Sequence, residues 1–308
     1  MRRLSLLIAL PCLAATLALP GCTREITRVD VGWSRLVDEH RHDVDVAGVK
    51  MHYIDLGAGD PIVMIHGIGD STYSWHRNAK ALVGAGFRVI LVDQPGFGRS
   101  AIPPKGWDYS VENQAEAVLD VVNSLGIDRF GLAGHSLGGG EALYLAWKHG
   151  DRIPKVAVLS PACQRTSCPF GITTDLIAGA VGTRWFAERA LRSAFFRPEG
   201  VSDVMVDEYA RLLDRPGRMG SGVLGGVCND YFSPEFDRMT EHYGDLKPET
   251  LIIWGQQDTW HPVTFGTTLH SLIPGSHFEI TADAGHNVHQ EAADVINPML
   301  VRFFSDRQ

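Results

Sequence analysis

The sequence predicts an α/β architecture, a mostly parallel eight-stranded sheet covered by helices on both faces. Three observations predict it. Short apolar runs recur along the chain and alternate with helix-length segments. A glycine-flanked serine, in Gly131-Leu132-Ala133-Gly134-His135-Ser136-Leu137-Gly138-Gly139-Gly140, marks a tight bend where a strand gives way to a helix. Asp258 and His286 each follow a later apolar run, and open α/β sheets build their sites just past the carboxyl ends of strands.

The elements follow in order. Val44–Val46 and Met51–Ile54, joined through Ala47-Gly48, read as an antiparallel hairpin that opens the sheet. Strands are then expected at Ile62–Ile65, Arg88–Val92, Arg129–Ala133, Lys155–Leu159, Leu251–Trp254 and His277–Ile280. Ser110 is placed to cap a helix over Val111–Leu125, stopped by Gly126. A second helix begins after Ser136 and runs through Glu141–Trp147, and Gln290–Phe304 closes the chain as a third. Between Pro161 and about Asp245 the alternation fails, in a stretch rich in Gly, Arg and aromatics.

A serine hydroxyl is a poor nucleophile at neutral pH and needs a histidine base, itself held in one tautomer by a carboxylate. Ser136, Asp258 and His286 supply the three groups, in the chain order that the Gly-x-Ser-x-Gly elbow requires. With His66-Gly67-Ile68-Gly69-Asp70 after one strand, Asp93-Gln94-Pro95-Gly96-Phe97-Gly98-Arg99-Ser100 after another, Trp254-Gly255-Gln256-Gln257-Asp258 and Gly285-His286, the chain resembles the α/β-hydrolase family over about residues 43 to 306. The resemblance implies Ser136 as nucleophile, Asp258 as acid, His286 as base, and the N–H groups of Ile68 and Leu137 as oxyanion hole. It also implies a core of 43–160 and 245–308, with 161–244 inserted after the sixth strand as a helical cap. Phe170, Trp185, Phe186, Phe195, Phe196, Tyr231 and Phe232 of that cap, with Trp260, either line an acyl pocket or hold the cap together. Epoxide hydrolases and haloalkane dehalogenases of this fold carry an aspartate at the elbow, so a serine argues against both.

The expected function is hydrolysis of carboxylic esters, through an acyl-enzyme on Ser136, of a small and hydrophobic acyl substrate. The same triad also serves cleavage of C–C, amide or thioester bonds and acyl transfer, and a non-catalytic envelope lipoprotein is the reading of another class. Other polar residues have plainer roles. Asp283 is only three residues before His286, too near to serve as its acid. His289 is expected on a helix surface, His135 in the core, and His66 as a shaper of the oxyanion loop. Glu39-His40-Arg41-His42-Asp43 reads as a solvated lead-in. No zinc or phosphate-loop spacing occurs, so no metal or cofactor is expected.

The N-terminus concerns location. Arg2 and Arg3 precede the apolar stretch Leu4–Leu19, then Pro20-Gly21-Cys22. This is the layout of a secretory signal over 1–21, and its apolar stretch of about 16 residues, interrupted by Pro11, falls short of the ~20 that a spanning helix requires. Leu19-Pro20-Gly21-Cys22 resembles a bacterial lipobox, with Pro20 in place of the usual small residue. Lipidation at Cys22, a tether over 22–42 and attachment to the membrane of the cell envelope are expected, with a soluble periplasmic or secreted protein as the alternative. The 308 residues carry a net charge of −8 with no basic cluster, which argues against nucleic acid. Beyond Cys12 and Cys22, three cysteines remain, and either a Cys163–Cys168 pair or a link to Cys228 is open.

Overall fold

A computed structural model describes residues 28–46, 48–164, 182–216, 223–231 and 236–306. Its single sheet contains β1 (Arg41–Val46), β2 (Val49–Gly57), β3 (Pro61–Ile65), β4 (Arg88–Val92), β5 (Gly131–His135), β6 (Lys155–Leu159), β7 (Glu249–Gly255) and β8 (His277–Thr281). The spatial order is β1-β2-β4-β3-β5-β6-β7-β8. β2 pairs antiparallel with both β1 and β4, and all other pairings are parallel. Each expected strand is present. The chain runs outward from β3 to β4 and returns past β3 to β5, so the carboxyl ends of β3 and β5 flank a crevice where the strand order reverses.

Strands β3 to β7 are covered on both faces, which is why they read as unbroken apolar runs, whereas the edge strands β1 and β8 are largely exposed. Val63, Ile65, Leu132, Val156, Val158, Ile252 and Trp254 point into one layer of core. Their strand neighbours Ile62, Met64, Ala133, Ala157, Leu159, Leu251 and Ile253 point into the other. The helix Val111–Ser124 starts where expected, with Ser110 Oγ accepting the Asn113 N–H at 3.3 Å. It ends at Gly126, whose φ of +66° suits glycine.

The helix Ser136–Lys148 buries a group with no apolar rationale. Glu141 is 0 % exposed, and among the described residues neither carboxyl oxygen has a hydrogen-bond partner. Burial pushes its pKa well above the ordinary value. The folded chain therefore holds a proton that the unfolded chain releases, so this group's contribution to stability is present below the unfolded pKa and is lost as pH rises. Glu141→Met is expected to raise Tm more at pH 8 than at pH 5, measured by thermal unfolding at the two values. Equal gains at both would contradict a buried titrating carboxyl.

The N-terminal region corrects one expectation. Residues 1–21, Cys22 and the start of the proposed tether lie outside the described residues. From residue 28 onward, however, the expected tether is docked structure. Asp30 caps the helix Val31–His40 by accepting the Trp33 N–H at 2.9 Å, and Trp33 and Val37, one turn apart, are buried against the core. The physical reason is this narrow two-residue stripe, which a reading of the segment as polar lead-in passes over. Arg41, His42 and Asp43 likewise belong to β1 rather than to a loop. Glu39 pairs with Arg35 at 2.8 Å, and among the described residues no His, Cys, Asp or Glu cluster could hold a metal ion.

Between β6 and β7 lie the helices Thr183–Ala194, Asp203–Leu213 and Val223–Tyr231 and the 3-10 segment Phe236–Asp245. Arg184 ties the first two together, with Nε 2.6 Å from Asp207 Oδ1 and Nη2 3.0 Å from Asp203 Oδ1. Residues 28–30 strap across the second, where the Arg28 N–H donates to Asp207 at 2.8 Å and the Asp30 N–H to Glu208 at 3.0 Å.

Cys163 is buried and free, its thiol pushed up to about 12 by burial, so it is not paired with Cys168. Cys228 is disulfide-bonded, and its partner lies outside the described residues. Among the described residues no helix is long and apolar enough to cross a membrane.

Candidate active site

β5 passes directly into the helix Ser136–Lys148, and the junction forces Ser136 to a φ of +51°. A non-glycine residue there stores strain of about 1–3 kcal/mol. The bend is possible because its neighbours lack side chains. A Cβ on Gly134 would overlap the Gly138 carbonyl, and one on Gly138 would overlap the His66 and Ile65 carbonyls. The elbow is thereby pressed against the loop that follows β3.

Asp258 sits in the turn after β7. Its Oδ1 accepts the backbone N–H groups of Trp260 and His261 at 2.9 and 2.8 Å. That leaves Oδ2 for His286, whose Nδ1 is 2.9 Å away, while His286 Nε2 is 2.9 Å from Ser136 Oγ. All three residues are buried. Burial alone would raise the Asp258 carboxyl, but the His286 imidazole beside it and the His261 N–H hold it below its ordinary value.

Several contacts fix the imidazole. The His286 N–H donates to the Ala194 carbonyl at 2.7 Å, and its own carbonyl accepts from His135 Nε2 at 3.0 Å. Trp260 stacks on the ring at 5.1 Å. The Glu291 carboxylate accepts the N–H groups of Gly285, Phe196 and Arg197 at 2.8, 3.0 and 2.6 Å. It thereby clamps the histidine loop to the inserted segment. Burial lowers the pKa of His135 and His289 well below the ordinary value and pushes His261 down to about 4, so the imidazoles surrounding the dyad are neutral.

The loop after β3 is equally constrained. His66 Nδ1 donates to the Gly67 carbonyl at 2.8 Å and Nε2 accepts the Gln94 N–H at 3.1 Å. Asp93 pins the same region, contacting His52 Nδ1 at 2.8 Å and accepting the Thr72 and Arg99 N–H groups at 2.6 and 2.8 Å. Burial would raise this carboxyl, yet its hydrogen bond and charge interaction with His52 outweigh that and bring it to about 2. Ile68 lines the pocket beside Ser136. Leu137 is the second residue of its helix, in the first turn where N–H groups lack intrahelical acceptors.

The crevice encloses a cavity of about 50 Å³. The inserted segment roofs it with Phe186, Ala187, Leu191 and Tyr209, and Trp260 closes one side. Of the aromatics named from sequence, Phe186 and Trp260 face it, Phe195 packs in the core, and Trp185 and Phe196 are exposed. Phe170, Phe232 and the Tyr231 side chain lie outside the described residues. Asp283 is exposed and pairs with Arg197 at 3.2 Å. His289 is a correction. It is 0 % exposed, with Nε2 3.2 Å from Ser74 Oγ, because the short helix Val288–Glu291 turns inward over the 3-10 segment Thr72–Trp75. Sequence reasoning gave no role to Tyr209, and it quoted Asp70 without one. Both line the pocket, with the Tyr209 hydroxyl oxygen 2.9 Å from Asp70 Oδ2.

A family model described as the alpha/beta hydrolase fold matches residues 60–203. With the sheet order and the elbow, this shows the α/β-hydrolase fold in the chain and makes it similar to hydrolases of that fold. The chain is 28 % identical over 265 residues to a putative non-heme chloroperoxidase of Synechocystis sp., covering 83 % of this chain and 95 % of that protein. It is 27 % identical over 270 residues to the 2-hydroxy-6-oxo-6-phenylhexa-2,4-dienoate hydrolase of Burkholderia cepacia, covering 85 % and 93 %. The enol-lactonase of Burkholderia xenovorans superimposes with a TM-score of 0.73 at 25 % identity, over 86 % of this chain and all of that one, 100 %.

Proposed function

We propose that the protein is a serine hydrolase of carboxylic esters, working through an acyl-enzyme on Ser136. The observation that carries this reading is the unbroken relay from Ser136 Oγ through His286 to Asp258, with both steps at 2.9 Å. His286 Nε2 takes the hydroxyl proton as Oγ attacks the acyl carbon, and Asp258 stabilises the imidazolium that forms. The N–H groups of Ile68 and Leu137 hold the oxyanion, each contributing about 3 kcal/mol to lowering the barrier. The alcohol leaves with the proton from His286. Water then attacks the acyl-enzyme, its proton passing to His286, and the free acid departs as Ser136 recovers its own. Residues 161–244 act as a cap over this chemistry.

Cleavage of a C–C bond is the second reading, favoured by the name of the dienoate hydrolase relative. Against it, no Lys or Arg stands among the described pocket-lining residues to meet the carboxylate that such a name implies. The enol-lactonase neighbour, by its name, opens an ester. A cavity of about 50 Å³ suits short acyl groups. On p-nitrophenyl esters of graded length, kcat/KM is expected to be about tenfold higher for two to five carbons than for eight or more. Turnover of a diketone with none of any ester would overturn the reading.

We also read residues 1–21 as an export signal and Cys22 as the lipid-bearing residue that holds the enzyme at the cell envelope, on the lipobox-like Leu19-Pro20-Gly21-Cys22. Cys22→Ser is then expected to move the protein from the membrane to the soluble fraction on cell fractionation. An unchanged membrane share would sink this.

A further inference from the structure

The pocket contains a polar group that the triad does not use. Asp70, in the loop after β3, lines the cavity with Oδ1 accepting the Ser71 N–H at 2.7 Å and Oδ2 bonded to the Tyr209 hydroxyl at 2.9 Å. Tyr209 comes from the inserted helix Asp203–Leu213 and lines the same cavity. Its hydroxyl oxygen also accepts from Gln290 Nε2 at 2.6 Å, and Gln290 is 0 % exposed with its own Oε1 unpartnered among the described residues. This polar line crosses a pocket whose roof is otherwise Ala187, Ala190, Leu191 and Leu213.

The hydrogens can be counted. A phenol has one hydrogen and two lone pairs. Gln290 uses one lone pair as donor. When Asp70 carries its proton, that proton can donate to the second lone pair, which frees the Tyr209 hydrogen for an acceptor in the cavity that both residues line. Burial raises Asp70 to about 8, so near neutral pH this is the larger population. The Tyr209 hydroxyl is then a neutral donor at the pocket, which among its described lining residues holds no Lys or Arg.

We propose that Asp70, Tyr209 and Gln290 form a specificity subsite of the catalytic pocket that takes an uncharged accepting oxygen of the substrate, carbonyl or ether, and excludes a carboxylate. This rests on the reading of the enzyme as an ester hydrolase. An anionic tail would lose its water for neutral donors beside a carboxyl group, with no cation to meet it, whereas a ketone or ether oxygen needs only one such donor.

Three near-isosteric esters test it on the full chain: p-nitrophenyl valerate, levulinate and hemisuccinate. The levulinate tail carries a neutral ketone, and the hemisuccinate tail replaces its methyl with an anionic oxygen. The expected order of kcat/KM is levulinate above valerate by about fivefold or more, and hemisuccinate below levulinate by at least about a hundredfold. Tyr209→Phe is expected to bring the levulinate-to-valerate ratio to about one, whatever its absolute rates. The wild-type ranking stands as a test even if that variant fails to fold. Turnover without this ranking, or a ratio unchanged in folded Tyr209→Phe, would refute the subsite alone. No turnover of any of the three would refute the ester reading beneath it.

Discussion

Ser136→Ala is expected to fold with a Tm close to that of the wild type while losing at least about 10⁴-fold in kcat on a short-chain ester. The stability half of this follows from the backbone. Alanine meets the same cost at a φ of +51° that serine already bears, and the Oγ makes its bond to His286 at the cavity rather than to the core. The activity half follows from the relay, since the oxyanion donors and the pocket remain but nothing is left to form the acyl-enzyme. Glycine at the same position should relieve the positive φ and raise stability by about 1 kcal/mol, equally without turnover. Circular dichroism melts and stopped-time ester assays on the two variants check both halves. A variant without the hydroxyl that retained wild-type kcat would remove Ser136 from the mechanism.

Gly138→Ala should be damaging in a different way. Its Cβ would fall on the backbone carbonyl oxygens of His66 and Ile65. Neither can swing aside like a side chain, because β3 is held between β4 and β5 and the His66 ring is bonded on both nitrogens. The helix must therefore retreat from the loop after β3, parting Leu137 from Ile68 and the nucleophile from its base. A loss of about 3 kcal/mol or more in chemical denaturation is expected, together with loss of activity. Gly84→Ala provides the contrast. No atom lies within 4 Å of its would-be Cβ, so this helix position should be neutral or gain up to about 1 kcal/mol. Equal effects of the two substitutions would contradict the close approach at the elbow.

The parts of the molecule legible in the sequence share a physical reason. Strands buried on both faces must be continuous apolar runs, and so β3, β4, β6 and β7 could be read to within a residue or two at each end. The elbow was legible because a serine at positive φ between close-packed backbones tolerates only glycine two positions away on either side. Asp258 was legible because it follows such a strand, β7, and His286 because it follows the shorter, more exposed strand β8. What escaped notice has no local signature. Helix Val31–His40 buries only Trp33 and Val37, too little to register as periodicity in a polar stretch. His289 lies in a short helix whose inward face is decided by Ser74 and Trp75, far away in the chain. Tyr209 and Asp70 meet across 139 residues, and one of them lies in the inserted segment, where neither strand nor helix rhythm guides a reading. Such pairs are made by the fold and are visible only in it.

The central claim is that Ser136 is a nucleophile activated by His286 and Asp258. Incubation with a fluorophosphonate followed by peptide mass mapping tests it most directly. One stoichiometric adduct is expected on the peptide containing Ser136, formed far more slowly in His286→Ala. An unlabelled Ser136 peptide, or an adduct on another serine at the same rate in both proteins, would contradict it.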